Sequence, residues 1–223
     1  MTIQLIKPTP WDEAIFGIPT WEILEYSETS LQQAAHTLGH QTIKVDPLAN
    51  KQLLHEQGFY YCDTLIVPSC KAERLRAVHH PDAIISKTIN AEYALDIFHG
   101  SFKHGRFHRD FNLPKKTCDL RYKNWLKQLL EKQQVYGLYW QGALAGFVGY
   151  NGSNLELHAV AEEYRGKGLA KYWWSEVCTE LLANGQDEIK SSISASNLAV
   201  LNLYASLGFS FNSSQDIYHR LLR

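Results

Sequence analysis

The chain has 223 residues, 45% of them hydrophobic, and its 22 Lys and Arg nearly balance its 23 Asp and Glu, for a net charge of −1. This composition predicts a folded globular protein with one large domain, or with a domain of about 140 residues beside a smaller one. The balanced charge argues against a nucleic-acid partner, because a protein that neutralises a phosphate polymer needs an excess of cations on one face.

Cysteine usage and the N-terminal sequence bear on the cellular compartment. The four cysteines form no C-x-x-C pair, and the N-terminus does not join a basic start to an apolar run. We therefore expect reduced thiols and a cytoplasmic protein. No window approaches the ~18 to 20 consecutive apolar residues that a membrane-spanning helix needs, so no such helix is expected.

The first third of the chain contains the pattern of a strand, a helix and a second strand. Ile43 and Val45 alternate with polar residues, residues 49–57 suit a helix, and Gly58 ends that helix before Phe59. Alternation is typical of a strand with one buried face, and a glycine is the usual residue just after a helix. We therefore predict a small unit of the βαβ type.

A cluster of turn-forming residues indicates a domain boundary near Ser86. We predict a smaller N-terminal α/β domain over residues 1–85 and a larger domain over residues 86–223. Early in the larger domain, Asp119 is predicted to cap a helix whose apolar stripe includes Leu120.

The rest of the larger domain alternates strands and helices. The predicted strands are 135–140, 143–150 and 155–160, which form a meander, and 189–194. A helix between the last two has apolar residues at i, i+4 spacing, namely Leu169, Trp173, Val177 and Leu181. A second helix, capped by Ser196 or Asn197, runs to Leu207, and Gly208 precedes the final strand.

An internal similarity links the two ends of the chain when residue n is set against residue n+150. The matching residues are Ile43 with Ile193, Leu48 with Leu198, Ala49 with Ala199, Leu53 with Leu203, Gly58 with Gly208 and Phe59 with Phe209. Two interpretations stay open. The N-terminal unit is a degenerate half-copy, or two strand-helix-strand segments of equal length share apolar positions by chance. Leu54 stands where the second segment has Tyr204.

The segment after the meander combines a short loop, two glycines and the start of a helix. Gly166 and Gly168 allow a tight turn and a close approach of the backbone, while Arg165 and Lys167 add positive charge. Because N–H groups at a helix N-terminus favour an anion, this loop is a candidate phosphate cradle. It fits neither the Walker loop nor the dinucleotide loop. By itself, a glycine-rich turn before a helix is more often only a turn.

Two linked motifs carry a resemblance to a known family. Arg165, Gly168 and Ala170 match a loop of Arg or Gln, two residues, Gly, one residue, and Gly or Ala. A second signature follows in the expected order, with Asn197, Tyr204, Gly208 and Phe209. This combination resembles the GNAT superfamily of N-acetyltransferases. The resemblance implies an α/β fold of the mixed α+β type, in which helices flank a central, twisted, mixed sheet.

The resemblance also implies a site for acetyl-CoA as co-substrate. His158, Ala159 and Val160 would pair with the pantetheine arm like an added strand, and the acetyl carbonyl would face the Val160 amide. Asn197 would hydrogen-bond the same arm, although a helix cap explains this residue as well. The loop residues that would hold the pyrophosphate are Arg165, Gly166, Lys167, Gly168, Leu169 and Ala170.

Acetyl transfer by direct attack of an amine needs a proton acceptor for the amine and a proton donor for the leaving thiolate. The resemblance assigns the donor role to Tyr204, which lies two helical turns after Asn197, with a core aromatic as the alternative. Glu156 and His158 lie on one face of the strand, and either is a candidate proton acceptor. Glu156 is the better candidate by its placement, with a paired surface carboxylate as its alternative, and the resemblance implies that an amine that binds neutral needs no strong base. His158 is expected to contribute mainly its backbone.

The N-terminal half bears on the acceptor. Short motifs there resemble GNAT enzymes that acetylate the amine of a nucleotide-linked amino sugar, and they comprise Pro10, Trp11, Asp12, Phe16, Gly17, Gly58, Phe59, Asp63, Thr64, Arg106, Phe107, His108 and Asp110. Arg106 and Arg109 would then bind a pyrophosphate as forks, although surface arginines explain them equally. His99, His104 and His108 suggest a metal, but we expect none, because no Cys or carboxylate completes the set.

Other functions stay open. The same cofactor site would serve an acetyltransferase for another small amine or for a peptide N-terminus. A catalytically silent CoA-binding module would also keep the loop. The residues do not determine the oligomeric state, and a homodimer is expected only because homodimers are common.

Overall fold

The structure is a computed structural model that describes residues 5–98, 102 and 104–223. Its strands are β1 (Ile6–Pro8), β2 (Thr20–Ile23), β3 (Gly39–Val45), β4 (Tyr60–Lys71), β5 (Ala83–Ser86), β6 (Val135–Trp140), β7 (Ala143–Asn151), β8 (Asn154–Val160), β9 (Glu188–Ser191), β10 (Ile193–Ser194) and β11 (Ser210–Leu222). Its helices are α1 (Pro10–Phe16), α2 (Glu28–Ala35), α3 (Gln52–Glu56), α4 (Ala91–Ile97), α5 (Arg106–Arg109), α6 (Lys115–Glu131), α7 (Ala170–Ala183) and α8 (Leu198–Ser206).

The strands form one mixed sheet in the order β1-β2-β3-β11-β4-β9-β8-β7-β6-β5, with β10 paired to β4. The β2/β3 and β8/β9 pairs are parallel, and β6, β7 and β8 form an antiparallel meander. The predicted mixed sheet with flanking helices is therefore confirmed, and so is the predicted meander.

Helices cover both faces of this sheet. Phe147 of β7 belongs to a core with Leu126 of α6, whereas its neighbour Val148 belongs to a core with Trp173 and Trp174 of α7. Because successive residues of a strand point to opposite faces, α6 and α7 lie on opposite sides of the sheet. The sheet is thus buried from both sides in the region of β7 and β8.

Strands β4 and β11 are exchanged between the two halves of the sheet. Strand β11 lies between β3 and β4, and β4 lies between β11 and β9. In the β4/β11 ladder the opposed residues include Leu65 with Gln215, Tyr60 with His219, and Ser69 with Ser210. A shift of 150 positions exchanges the last two of these pairs and leaves the first in place. This approximate two-fold relation favours the half-copy interpretation of the internal similarity.

The sheet is continuous across the predicted domain boundary. β5 ends at Ser86 and pairs with β6, and β11 lies inside the strands of the N-terminal half. The division into residues 1–85 and 86–223 stays a prediction.

The predicted start of the long helix is wrong. Helix α6 begins at Lys115, directly after Pro114, and Asp119 lies inside it, where its side chain contacts His108 at 2.9 Å. Proline fixes φ near the helical value and has no N–H to donate, so it suits the start of a helix. Leu120, which was placed in the apolar stripe, is 44% exposed.

The structure also bears on the cysteines and on membrane insertion. Cys62, Cys70, Cys118 and Cys178 are all buried and unpaired. Over the described ranges, no helix has the length and apolar character that crossing a bilayer requires.

Candidate active site

The parallel strands β8 and β9 separate soon after they meet. Their register pairs Asn154 with Lys190 and Leu155 with Ser191. Beyond these pairs β8 continues along β7, whereas the chain after β9 pairs with β4 through β10. A cavity of about 860 Å³ lies between the diverging strands, and residues of β4, β8, β10, α7 and α8 line it. The centre of the sheet therefore opens into a site.

Strand β8 presents backbone groups to this opening. The N–H of Ala161 donates to Ala145 O at 2.8 Å, so Ala161 and Ala159 occupy hydrogen-bonded positions opposite β7. Because such positions alternate in an antiparallel ladder, the backbone groups of His158 and Val160 point away from β7, toward the cavity. Of the three residues predicted to pair with a pantetheine arm, His158 and Val160 thus have the suitable orientation, and Ala159 pairs with β7.

The loop between β8 and α7 leaves open space in front of the helix. Gly166 and Gly168 both have φ of +71°, and a Cβ built on either glycine would meet nothing within 4 Å. Helix α7 begins at Ala170, and no side chain caps its N-terminus at Leu169. The orphan N–H groups of the first turn therefore favour an anion at this point, and the space and charge fit a pyrophosphate.

The two cations of the loop differ in position. Arg165 lines the cavity, and its Nε donates to Val160 O at 2.7 Å, which joins the loop to the end of β8. Lys167 is outside the cavity lining, and its ammonium lies 5.9 Å from the centre of the Tyr164 ring. Of these two cations, only Arg165 is thus part of the cavity wall.

Asn197 is the N-cap of α8, and its side-chain oxygen accepts from the N–H of Val200 at 3.4 Å. This confirms the helix-cap interpretation. The residue also lines the cavity, so the predicted contact with a cofactor arm stays a prediction.

Tyr204 lies outside the cavity lining, although it is on the same helix as Asn197. Its side chain is fully buried and packs on Phe209, with the ring centres 4.6 Å apart. Its hydroxyl has no hydrogen-bond partner among the described residues. Burial raises the pKa of Tyr204, and the nearby Ser191 and Trp174, which line the cavity, oppose that rise. The predicted proton donor is therefore one layer of side chains away from the cavity.

Glu156 and His158 both line the cavity. The Glu156 carboxylate accepts from the indole N–H of Trp125 at 3.3 Å. His158 packs edge-on against Trp174, with ring centres 5.1 Å apart, and burial lowers the pKa of His158 to about 4. His158 is therefore neutral at physiological pH, which fits a residue that contributes mainly its backbone.

The two arginines predicted to bind an acceptor have different surroundings. Arg106 lines the cavity and stacks on Phe107, and its buried Nε has no partner in the described part of the chain. Burial lowers the pKa of Arg106. Arg109 is outside the lining, and its Nη1 donates to Asp63 Oδ1 at 2.8 Å. The structure thus places only Arg106 of this pair at the cavity wall.

The histidines considered as metal ligands are not brought together where the structure describes them. His99 lies outside the described residues. His104 precedes α5 and contacts Ser196 at 3.2 Å, whereas His108, inside α5, contacts Asp119 at 2.9 Å. His104 and His108 thus have different partners, and the buried Nδ1 of His108 has none among the described residues.

A different cluster has metal-ligand spacing among the described residues. His40, Asp110 and His219 are buried, and both imidazoles contact Asp110 Oδ2 at 2.8 Å. The hydroxyl of Tyr60 donates to the same carboxylate at 2.9 Å. Burial opposes ionisation of Asp110, but the hydrogen bonds from His219 and His40 outweigh it and hold the pKa of Asp110 well below its usual range. Hydrogen bonding thus accounts for this cluster, which joins β3, β11 and the end of α5.

Asp63 of β4, which the sequence indicated only as one residue of the N-terminal motifs, is fully buried at the cavity wall. Its Oδ1 accepts from Ser194 Oγ at 2.7 Å, from Arg109 at 2.8 Å and from the Thr64 N–H at 2.9 Å. The sequence signal was an aspartate within a predicted strand, between Cys62 and the apolar run 65–67, because a charged residue at such a position is seldom buried unless it has partners.

Comparison with known proteins finds one matching family for the second half of the chain. Residues 115–220 match the family described as "Acetyltransferase (GNAT) domain". No curated protein matches the chain.

Solved structures share the fold. A GCN5-related N-acetyltransferase from Sphaerobacter thermophilus is 11% identical with a TM-score of 0.64, over 96% of this chain and 75% of that one. A tandem GNAT protein from the clavulanic acid biosynthesis pathway is 14% identical with a TM-score of 0.57, over 92% and 75%. A putative GNAT acetyltransferase from Novosphingobium aromaticivorans is 16% identical with a TM-score of 0.55, over 98% and 89%. The chain therefore has the GNAT fold, and its residues 115–220 match the acetyltransferase (GNAT) domain.

Proposed function

We propose that this protein transfers the acetyl group of acetyl-CoA to a primary amine by direct attack. One observation carries the proposal: the β8 backbone groups, the uncapped N-terminus of α7 and the open space over Gly166 and Gly168 all face a single cavity. Such a cavity offers a hydrogen-bonding edge for an extended arm next to a cradle for a pyrophosphate, which are the two features that CoA requires.

The residues have separate roles in this proposal. The loop from Arg165 to Ala170 binds the pyrophosphate, and His158 and Val160 pair with the pantetheine arm. The Val160 N–H then stabilises the oxyanion that forms when the amine attacks the thioester carbonyl.

Proton transfer is assigned to Glu156 and Tyr204. Glu156 lines the cavity and accepts the proton that the nitrogen loses as the tetrahedral intermediate collapses. Tyr204 is proposed to protonate the thiolate. Its support is its place on α8, two helical turns after Asn197, which lines the cavity. Tyr204 itself is not part of the cavity lining, and burial raises its pKa, which makes the hydroxyl a weaker acid.

The acceptor proposal comes from the N-terminal half. Its motifs resemble those of dTDP-fucosamine acetyltransferase, which acetylates dTDP-4-amino-4,6-dideoxygalactose, and we propose a nucleotide-linked amino sugar as the acceptor. Asp63, Leu65 and Val67 of β4 line the cavity, which supports an acceptor-side role for residues 1–85. Arg106, without an ion-pair partner in the described part of the chain, suits an anionic group of the acceptor. Another small amine or a peptide N-terminus would use the same cofactor site.

The burial of Tyr204 favours a second candidate, a CoA-binding module without turnover. Thiol release from acetyl-CoA with a panel of nucleotide amino sugars, amino acids, polyamines and peptides separates the two. Release with at least one amine supports the enzyme. Tight CoA binding without release for any amine supports the silent module.

A further inference from the structure

Asp63 has one carboxylate oxygen that is well supplied with donors and one that has none. Oδ1 accepts from Ser194, Arg109 and the Thr64 N–H, whereas Oδ2 is buried and has no partner in the ranges that the structure describes. Buried carboxylate oxygens in folded proteins are nearly always hydrogen-bonded. Since Asp63 lines the cavity, an N–H or O–H group of a ligand there is the donor that Oδ2 lacks.

A chain of hydrogen bonds fixes the orientation of this carboxylate. His104 contacts Ser196 at 3.2 Å, Ser196 contacts Ser194 at 2.8 Å, and Ser194 donates to Asp63 Oδ1 at 2.7 Å. Because Ser194 has a single proton, which it gives to Asp63, Ser196 donates to Ser194 and His104 donates to Ser196. Every donor of the chain therefore points toward Asp63, and Oδ1 is not available to a ligand.

The position of Asp63 suits the acceptor rather than the cofactor. The residue lies on β4, and Ser194 lies on β10, across the opening from the backbone groups of β8. Glu156 is on β8 itself. The two carboxylates thus approach the cavity from opposite strands.

An amine that arrives as an ammonium ion must lose two protons during acetylation, one before it attacks and one as the intermediate collapses. We propose that Asp63 Oδ2 binds the acceptor's ammonium group and accepts the first of these protons. In this step an N–H bond breaks, its electron pair stays on nitrogen as the attacking lone pair, and the proton bonds to Oδ2 to give a carboxylic acid. Glu156 takes the second proton. The inference rests on the proposed acetyl transfer.

The charges around Asp63 bear on its basicity. Burial raises the pKa of Asp63, while Ser194, Arg109 and Arg106 lower it. The other titratable groups that face it are Tyr122 of α6 and Cys62 of its own strand. The net rise makes Asp63 a better proton acceptor than an ordinary surface aspartate.

The experiment compares Asp63→Asn with the wild type across pH, using the best amine of the panel. At about pH 7 we expect kcat/KM to fall about 100-fold, because general-base catalysis contributes roughly that much. At about pH 10, where the amine loses its proton without help, the defect should shrink to about 10-fold or less. Asp216→Asn is the matched control, since Asp216 bonds Thr64 at 2.7 Å but is outside the cavity lining, and its profile should follow the wild type.

Each other outcome has a defined meaning. A loss of the same size at every pH, or no loss, overturns the role of Asp63 and leaves the proposed acetyl transfer intact. Failure of the wild type to release thiol with any amine overturns both. Acetyl-CoA affinity checks that Asp63→Asn is folded. If Asp63→Asn does not fold, Ser194→Ala is measured in its place. The proposal then requires kcat/KM to fall about 10-fold at about pH 7, with a smaller defect at high pH.

Discussion

The sheet contains two parallel strand pairs joined by a helix, and they differ in how far their strands stay paired and in the cavity beside them. In the N-terminal half, β2 and β3 pair through four residues, from Thr20 opposite His40 to Ile23 opposite Ile43. In the C-terminal half, β8 and β9 pair through two residues and then separate. The same connection thus has a cavity of about 440 Å³ at the start of α2 in one half, and a cavity of about 860 Å³ between the separating strands in the other.

The helices of the two halves begin differently as well. Ser27 caps α2, because its Oγ accepts from the Ser30 N–H at 3.2 Å within a capping box. Helix α7 has Leu169 at the corresponding position, with no capping side chain. A capped N-terminus has already used a donor that an anion would need. An anion site therefore requires the absence of a cap as much as the presence of glycines.

The largest effect is expected from Gly168→Val, which adds a branched side chain at φ +71° in the space over the α7 N-terminus. Acetyl-CoA binding, measured by calorimetry, should weaken about 100-fold, or about 2.7 kcal/mol. Gly185→Val is the control, because Gly185 has φ +91° and equally open surroundings but lies at the other end of α7. Equal affinity losses in the two variants would show that backbone strain, not the cradle, is responsible.

The buried cluster of His40, Asp110 and His219 should make the stability of the protein depend on pH. Burial lowers the pKa of His219 to about 3, so the unfolded chain, with an ordinary pKa near 6.5, takes up a proton first. The stability contributed by neutral His219 is therefore present above about pH 6.5 and is lost as the pH falls toward 3. The depressed pKa of Asp110 acts in the same direction, and its contribution is lost below about pH 4.

His219 should lower the free energy of unfolding in urea by about 2 kcal/mol between pH 7 and pH 5, and the buried His158, whose pKa is also lowered, adds to this fall. His219→Gln should therefore make the fall about 2 kcal/mol smaller without abolishing it. His79→Gln should leave it unchanged, because the His79 side chain is 72% exposed. If the free energy of unfolding depends on pH equally in the wild type and both variants, His219 is not a source of this dependence.

A smaller effect is expected from Tyr204→Phe, which tests whether α8 differs in function from α3, where Leu54 stands at the matching position. If Tyr204 protonates the thiolate, kcat should fall about 10-fold with unchanged acetyl-CoA affinity. Tyr136→Phe is the control, since Tyr136 is also a buried tyrosine with an unpartnered hydroxyl in the described residues, outside the cavity lining. If kcat of Tyr204→Phe equals that of the wild type, Tyr204 has only a packing role in the core.

The smallest effect should come from Ser27→Ala, which removes the cap of α2. The loss of this cap should cost about 1 kcal/mol of stability in thermal or urea unfolding. Acetyl-CoA affinity should stay the same, because Ser27 does not line the cavity between β8 and β9. A change in stoichiometry of CoA binding would contradict this view of the N-terminal half.

Much of the fold could be predicted from local patterns. The meander, the helix with Trp173 and Val177, and the glycine loop before it all depend on residues within a few positions of one another. The start of α6 could not be predicted in this way. Pro114 determines where this helix begins, but the first turn contains polar residues, so the apolar pattern starts only later, near Asp119.

The candidate site also contains residues that the sequence could predict and residues that it could not. The sequence alone indicated the loop from Arg165 to Ala170, because the requirements of a phosphate cradle are local: glycines, a helix start and no cap. Only the tertiary structure brought Asp63 to the cavity, through a hydrogen bond to Ser194 across 131 residues of chain. It also placed Tyr204 in the core, and paired Arg109 with Asp63. Strand order and helix rotation decide such contacts, and these depend on how the whole sheet packs rather than on any one segment.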